Sequence, residues 1–403
     1  MGTIAWTRGD GPLVPFAGGY ERKLLGLGHK PGAVQNYLGL MGQLNRWLAG
    51  EGLRVGDLTP AKVEEFLGAR RAGGRRRVPT LASVAPLLDY LTDQQVVRMA
   101  APAVVAPGDE LLANYRHHLL HDRGLTPGTV LRYERFAKRF LSQRASRLGG
   151  PTGAEDLTMT EVNAYLLEAS SRLVVESAKR EAGDLRALLR FLYLQRIVDT
   201  DLGAAMPPVA TWRGTRLPQG LSVVEVGAVL DSCDRSTTSG RRDYAILSLL
   251  ARLGLRSGEV AALQLGDMDW RCGEIVVRGK ARRQDRLPLP VEVGEALVAY
   301  LREDRPSCGC PQVILTLYAP PRPIHPSSIT NVVYRACRRA GVARVGGHRL
   351  RHALATEMLR RGGNLIEIAQ VLRQSDLGTT SDYAKVDRTA LRTVAQTWPG
   401  TRR

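Results

Sequence analysis

The chain has 403 residues and carries 57 lysines and arginines against 39 aspartates and glutamates, a formal net charge of +18 at pH 7. At about one to two hundred residues per domain, that length predicts two or three compact units with ample core and excludes a single small module. The basic excess, most of it arginine with its phosphate-matching planar fork, predicts a polyanionic partner and favours nucleic acid. The first thirty residues hold charges and glycines, and no long apolar run occurs, so the chain is predicted to be neither exported nor membrane-spanning.

The N-terminal half repeats itself. Pro31-Gly32-Ala33-Val34-Gln35-Asn36-Tyr37 recurs as Pro127-Gly128-Thr129-Val130-Leu131-Arg132-Tyr133, and Trp47-Leu48 answers Phe140-Leu141. Further on, Leu58-Thr59, Val63 and Phe66-Leu67 answer Leu157-Thr158, Val162 and Tyr165-Leu166, and Leu87-Leu88-Asp89-Tyr90-Leu91 answers Leu188-Leu189-Arg190-Phe191-Leu192. Such self-similarity predicts two tandem copies of one small helical domain, the first over 1–105 and the second over 107–205. Apolar residues at three- and four-residue spacing, with starts at Thr-Pro or Lys-Pro-Gly, predict four amphipathic helices in each. Arg70 and Arg71, then Arg75, Arg76 and Arg77, and the arginines from Arg132 to Arg147 give the copies basic runs that we read as DNA-binding. A segment rich in Ala, Pro and Val over 100–108 separates the copies, and the proline-rich 206–220 reads as a linker.

A different texture runs from Leu221 to the end, so 221–403 is predicted to be a separate domain. Ser222-Val223-Val224-Glu225 is a capping box that opens a helix through Asp231. A buried helix follows over 241–253, then a short helix through Leu263. Glu274 to Arg278 and Arg286 to Leu289 read as two strands around a Gly279-Lys280 turn, and the remainder as four or five helices. The fold is therefore predicted to be mainly α, ending in a mixed, mostly helical domain with a small antiparallel sheet. Cys233, Cys272, Cys308, Cys310 and Cys337 are odd in number and form no framework, which predicts a reduced, intracellular protein. Cys308-Gly309-Cys310 lacks a second Cys or His pair at finger spacing and reads as a surface loop rather than a metal site.

Four stretches of this last domain supply what breaks a phosphodiester without a metal. Charge spreading over the non-bridging oxygens needs cations, and Arg256 and Arg351 are candidates for a bidentate clamp. Glu259, three residues beyond Arg256, is placed to hold it. His348 and Arg351 are three apart, so on a helix they project from one face, and Gly346-Gly347 before them admits a phosphate closely. A nearly neutral His348 can accept the nucleophile's proton, while His352 is expected to face elsewhere and support the helix by packing. Lys280, at the tip of the hairpin, suits a general acid, and its neighbours Arg282 and Arg283 suit contacts to the DNA backbone. Tyr383 follows Thr379-Thr380-Ser381-Asp382 at the start of a short helix and is the candidate nucleophile, since a phenol can form a covalent phosphate ester. Neither a Walker motif nor an acidic metal cluster occurs, so no metal and no cofactor is expected.

Ala251-Arg252-Leu253-Gly254-Leu255-Arg256-Ser257-Gly258-Glu259-Val260, Gly279-Lys280, His348-Arg349-Leu350-Arg351-His352 and Thr379-Thr380-Ser381-Asp382-Tyr383-Ala384, in that order, resemble the tyrosine recombinases, or phage integrases, of mobile elements. The resemblance is strong from Leu221 onward, and the second helical copy is similar to the family's core-binding, SAM-like domain. It implies that Tyr383 attacks the scissile phosphate to give a 3′-phosphotyrosyl bond and a free 5′-hydroxyl. Arg256 and Arg351 would clamp the phosphate, Lys280 would protonate the leaving 5′-oxygen, His348 would assist proton removal from Tyr383, and Glu259 would orient its neighbours. The resemblance further implies a double-stranded DNA recombination site as substrate, a dimer on each site, a tetrameric synapse with room for partner recombinases, and a cytoplasmic, nucleoid-associated place in a bacterium. Integration, excision or transposition of a mobile element would be the task, and a helix over 389–398 would dock on a neighbouring subunit. Gln374 departs from the pattern, standing where the family usually has a histidine or tryptophan that donates to the phosphate; its amide still donates, which implies slowed or retuned chemistry. Two other readings share these residues: a type IB topoisomerase, against which the lack of an encircling domain counts, and a catalytically weakened DNA-binding accessory subunit, which Gln374 motivates.

Overall fold

A computed structural model describes residues 11–72, 80–97, 107–148, 153–154, 156–207, 221–279 and 284–373. The first copy consists of helices Ala17–Gly26, Pro31–Gly50, Pro60–Ala72 and Leu81–Asp93, and the second of Pro107–His117, Pro127–Leu148, Met159–Arg172 and Val175–Leu194, followed by the short Leu202–Ala205. Pro31 and Pro127 open equivalent helices, at the position where a missing N–H leaves no bond unmade. Each copy has its own apolar core, one running from Leu13 to Val97 and the other from Leu111 to Met206.

The repeat holds in three dimensions. Trp47 meets Phe66 at 5.8 Å between ring centroids, and their counterparts Phe140 and Tyr165 meet at 5.1 Å. Tyr20 packs on Tyr90 at 5.5 Å as Tyr115 packs on Phe191 at 4.9 Å, which extends the repeat upstream to a tyrosine pair that the matched sequence blocks do not include. Both copies also end alike. Gln95 (φ 58) and Arg196 (φ 55) turn left-handed, and the amides after them, Val96 and Ile197, reach back to the carbonyls of Leu91 and Leu192 at 3.0 and 2.9 Å. This is the six-to-one closure that satisfies carbonyls at a helix end.

The C-terminal domain is built on the helix Thr238–Arg252, which packs against Val291–Glu303, Pro326–Arg339 and Gly347–Arg360. Its start is set by Thr237, whose hydroxyl accepts the Gly240 amide at 3.1 Å. The capping box at Ser222 forms as the sequence predicts and opens Val223–Asp231. A three-stranded antiparallel sheet lies in the order β1 (Met268–Asp269), β2 (Glu274–Arg278), β3 (Gln284–Pro288), with Ile275 opposite both Met268 and Leu287. The sequence pattern does not reveal β1, which is only two residues long, and it starts the last strand two residues late; pairing with Arg278 draws Gln284 into the ladder. Four helices follow among the described residues: Val291–Glu303, Pro326–Arg339, Gly347–Arg360 and Leu365–Val371. This domain's core runs from Leu221 to Ala353, with a satellite of Ala355, Ile368 and Leu372. By their contacts the residues group into two compact units, Met99–Thr215, and Met1–Arg98 with Arg216–Arg403. No helix of the described residues is long and apolar enough to cross a membrane.

Candidate active site

The site is organised by the turn between two helices. After Thr238–Arg252 the chain reverses at Gly254, φ +58, where a Cβ would lie 2.7 Å from Leu372 Cδ2 and 3.1 Å from Leu354 Cδ2. Only glycine combines that backbone with that closeness. The reversal delivers Arg256 to the N-cap of Ser257–Ala262. There its amide donates to Glu259 Oε2 at 2.8 Å and its Nη1 to Glu259 Oε1 at 2.7 Å. The Glu259 side chain is only 6% exposed, whereas that of Arg256 keeps 46% of its surface and can meet a ligand.

Glu259 holds a second cation that sequence reasoning did not single out. Arg373, itself buried, donates Nη2 to Glu259 Oε2 at 2.9 Å. Burial raises the Glu259 pKa, but the Arg256 amide and the guanidiniums of Arg373 and Arg256 outweigh it and hold the group below the usual carboxylate value. The carboxylate therefore stays ionised. A signal for Arg373 existed in the sequence, a lone arginine just after the amphipathic stretch Leu365 to Leu372, but nothing local ties it to Glu259.

Arg351 is also in the site, in a different posture from the one expected. It is fully buried, with Nη1 donating to the Gly254 carbonyl at 2.6 Å and Nη2 to the Leu372 carbonyl. A guanidinium cannot lose its charge, so burying it demands such acceptors. Arg351 thus ties the Gly254 turn to the end of Leu365–Val371. His348, one turn earlier on Gly347–Arg360, remains open to solvent. That helix begins against the Arg256 turn, since a Cβ on Gly347 would lie 3.1 Å from Ser257 Oγ. Desolvation by the packed surroundings, followed by the charges of Arg351, Arg256 and Arg349, pushes the His348 pKa below the ordinary histidine value, so its imidazole is neutral near pH 7. His352 does not face elsewhere: four residues on, its ring meets that of His348 edge to face at 4.3 Å, because i and i+4 share a helix face. It props the imidazole as well as packing the helix.

Arg256, Glu259, His348, Arg351 and His352 are thus brought together. Lys280, Arg282, Arg283, Gln374, Tyr383, the segment 389–398, and Arg75, Arg76 and Arg77 lie outside the described residues. β2 ends at Arg278, and Gly279 is the last described residue before Lys280. Arg132 has its charge committed to Asp184 and its guanidinium 4.3 Å above the Tyr133 ring. Cys308 and Cys310 lie in an irregular segment where the Cys310 amide donates to Cys308 Sγ at 3.4 Å.

Comparison with known proteins identifies the family. Residues 220–389 match the phage integrase family. The putative integrase/recombinase y4rA of Sinorhizobium fredii is 34% identical over 396 residues, covering 97% of this chain and 96% of its own length. Tyrosine recombinase XerC of Lactobacillus delbrueckii subsp. bulgaricus is 30% identical over 279 residues, 67% of this chain and 92% of its own. Among solved structures, XerH site-specific recombinase, in a post-cleavage complex with palindromic difH substrate, shares the fold with a TM-score of 0.53 at 18% identity over 73% of this chain and 98% of its own. The chain belongs to the phage integrase family and is a tyrosine recombinase, an enzyme of site-specific DNA recombination.

Proposed function

We propose that this recombinase cuts and rejoins duplex DNA at the ends of a mobile element, with Tyr383 as the nucleophile and a 3′-phosphotyrosyl intermediate. The observation that carries the reading is the convergence on one turn of a half-exposed Arg256, a solvent-open His348 and a buried Arg351. Arg256 offers its guanidinium to the non-bridging oxygens, and His348 accepts the phenolic proton of Tyr383. Arg351 joins the clamp when a phosphate oxygen replaces one of its carbonyl partners, an exchange favoured because a charged acceptor binds a guanidinium more strongly than a neutral one. Lys280 protonates the leaving 5′-oxygen, and Gln374 donates an amide hydrogen to the phosphate. Because the phosphotyrosyl ester keeps the energy of the broken bond, a second 5′-hydroxyl reverses the step without ATP.

In the same reading 221–403 is the catalytic domain, 206–220 its linker, 107–205 the core-binding domain and 1–105 a further DNA-binding copy. Arg75, Arg76, Arg77, Arg132, Arg282 and Arg283 contribute backbone contacts, Arg132 only if it leaves Asp184. A dimer sits on each site, two sites meet in a tetramer, and the protein works on the nucleoid in the cytoplasm. The test is a duplex that the protein selects from a random-sequence pool, nicked beside each phosphate of the protected stretch in turn. A covalent adduct is expected with the wild type and none with Tyr383→Phe, at unchanged duplex affinity. Binding without any adduct from the wild type overturns the reading in favour of an accessory subunit.

A further inference from the structure

Arg373 ends the helix Leu365–Val371 with φ +53, a backbone conformation that ordinarily falls to glycine. Gln95 and Arg196 do the same and are exposed, so the backbone alone points to no role. What separates Arg373 is its side chain. It is 7% exposed, with Nη2 2.9 Å from Glu259 Oε2 and Nη1 3.1 Å from the Val371 carbonyl. A left-handed, charged and buried residue is held there only by a partner that offsets its desolvation, and that partner is the carboxylate that also holds Arg256.

The sharing has an electrostatic consequence. Were Glu259 paired with Arg256 alone, the two charges would cancel and a phosphate would meet a neutral pair. With Arg373 on Oε2 and Arg256 on Oε1, two guanidiniums divide one negative charge, and the half-exposed Arg256 keeps a net positive field. One residue earlier, the Leu372 carbonyl receives Arg351. Of the two residues before Gln374, Leu372 is therefore tied directly to Arg351, and Arg373 is tied to Arg256 through Glu259.

We propose that Arg373 is a positioning residue of the cleavage site: its buried guanidinium shares the Glu259 carboxylate with Arg256, fixing Arg256 and seating the chain that leads into Gln374. It touches no substrate. The proposal rests on the phosphotyrosyl reading above.

The experiment uses the full chain and the nicked, self-selected duplex, and compares wild type with R373G, R373Q, R373K, E259Q and E259Q/R373G. Glycine accepts the left-handed backbone, so R373G removes the guanidinium while leaving the turn unstrained. Adduct formation in a single turnover is expected to slow on the order of 10- to 100-fold in R373G, with duplex affinity held within about threefold. R373K should recover part of the rate, and the double variant should be no slower than the slower single one, because both changes break one linkage. Should R373G unfold at the assay temperature, R373Q, which keeps a donor and loses the charge, decides by the same criteria. The proposal is overturned if these variants react at the wild-type rate, lose affinity and rate in equal measure, or add to E259Q. A wild type that forms no adduct fails the phosphotyrosyl reading instead, and this proposal with it.

Discussion

At the scale of single residues, two titratable groups in the site are shifted in the same direction for different reasons. His348 loses basicity through desolvation and then through the guanidiniums of Arg351, Arg256 and Arg349. A folded pKa below the ordinary value of about 6.5 means the unfolded chain binds the proton more readily, so this group's contribution to stability is full above that value and lost as pH falls toward the folded pKa. Cleavage that uses a neutral His348 should accordingly hold its rate as pH drops through about 6.5 and fall only below it. The measurement is the pH profile of adduct formation, in which His348→Gln should abolish that acid limb. Glu259 is held ionised by its neighbours, so its contribution is present above the usual carboxylate range and disappears as pH falls through its depressed folded value. Glu259→Gln leaves Arg373 buried without a counter-charge and should cost about 3–5 kcal/mol at pH 7 in urea unfolding, a difference that closes at acid pH. Gln374→His should leave the cleavage rate equal or higher, since an imidazole donates to the phosphate at least as well as an amide; a large loss of rate would refute that role.

At the scale of elements, the helix starts were legible because capping is local. Ser222 with Glu225 states its own helix start, and the structure has the amide of Glu225 on Ser222 Oγ at 3.2 Å. The two-residue β1 was illegible for the opposite reason, since it exists only because β2 lies beside it. The Gly254 turn belongs to both classes: a glycine at a helix end is a readable stop, but the nearness of Leu372 and Leu354 is not in the sequence. Gly254→Ala is expected to cost about 2–4 kcal/mol, from a left-handed alanine and from overpacking against Leu372. Urea midpoints give the stability, and adduct formation should fall as well, since the Gly254 and Leu372 carbonyls both accept from Arg351. Unchanged stability would show that the turn relaxes freely.

At the scale of the whole molecule, the net charge of +18 and the duplicated helical copies are what the proposed grip on DNA rests on. Duplex affinity should fall steeply with salt. Removing the residues before Ala106 should shorten the protected stretch and flatten the salt dependence by nearly one unit of slope for each phosphate that the truncated chain no longer neutralises. A footprint unchanged by the truncation would take from the first copy the DNA role assigned to it. The copies share paired aromatic rings and the same left-handed helix closure. The extra copy is therefore a second instance of the same helical scaffold rather than an unrelated extension.

By itself the sequence determined the mainly helical class and the helix caps, and it proposed the duplication and the residues Arg256, Glu259, His348 and Arg351 as one chemical set, because each of these is written in local spacing or in short blocks. Tertiary structure alone decided which charges meet. Glu259 and Arg373 are 114 positions apart, and Arg351 reaches the Gly254 carbonyl across 97. No periodicity links such positions. Only the packing of Leu365–Val371 and Gly347–Arg360 on the Gly254 turn removes water from these groups, and a charge without water must find its partner there.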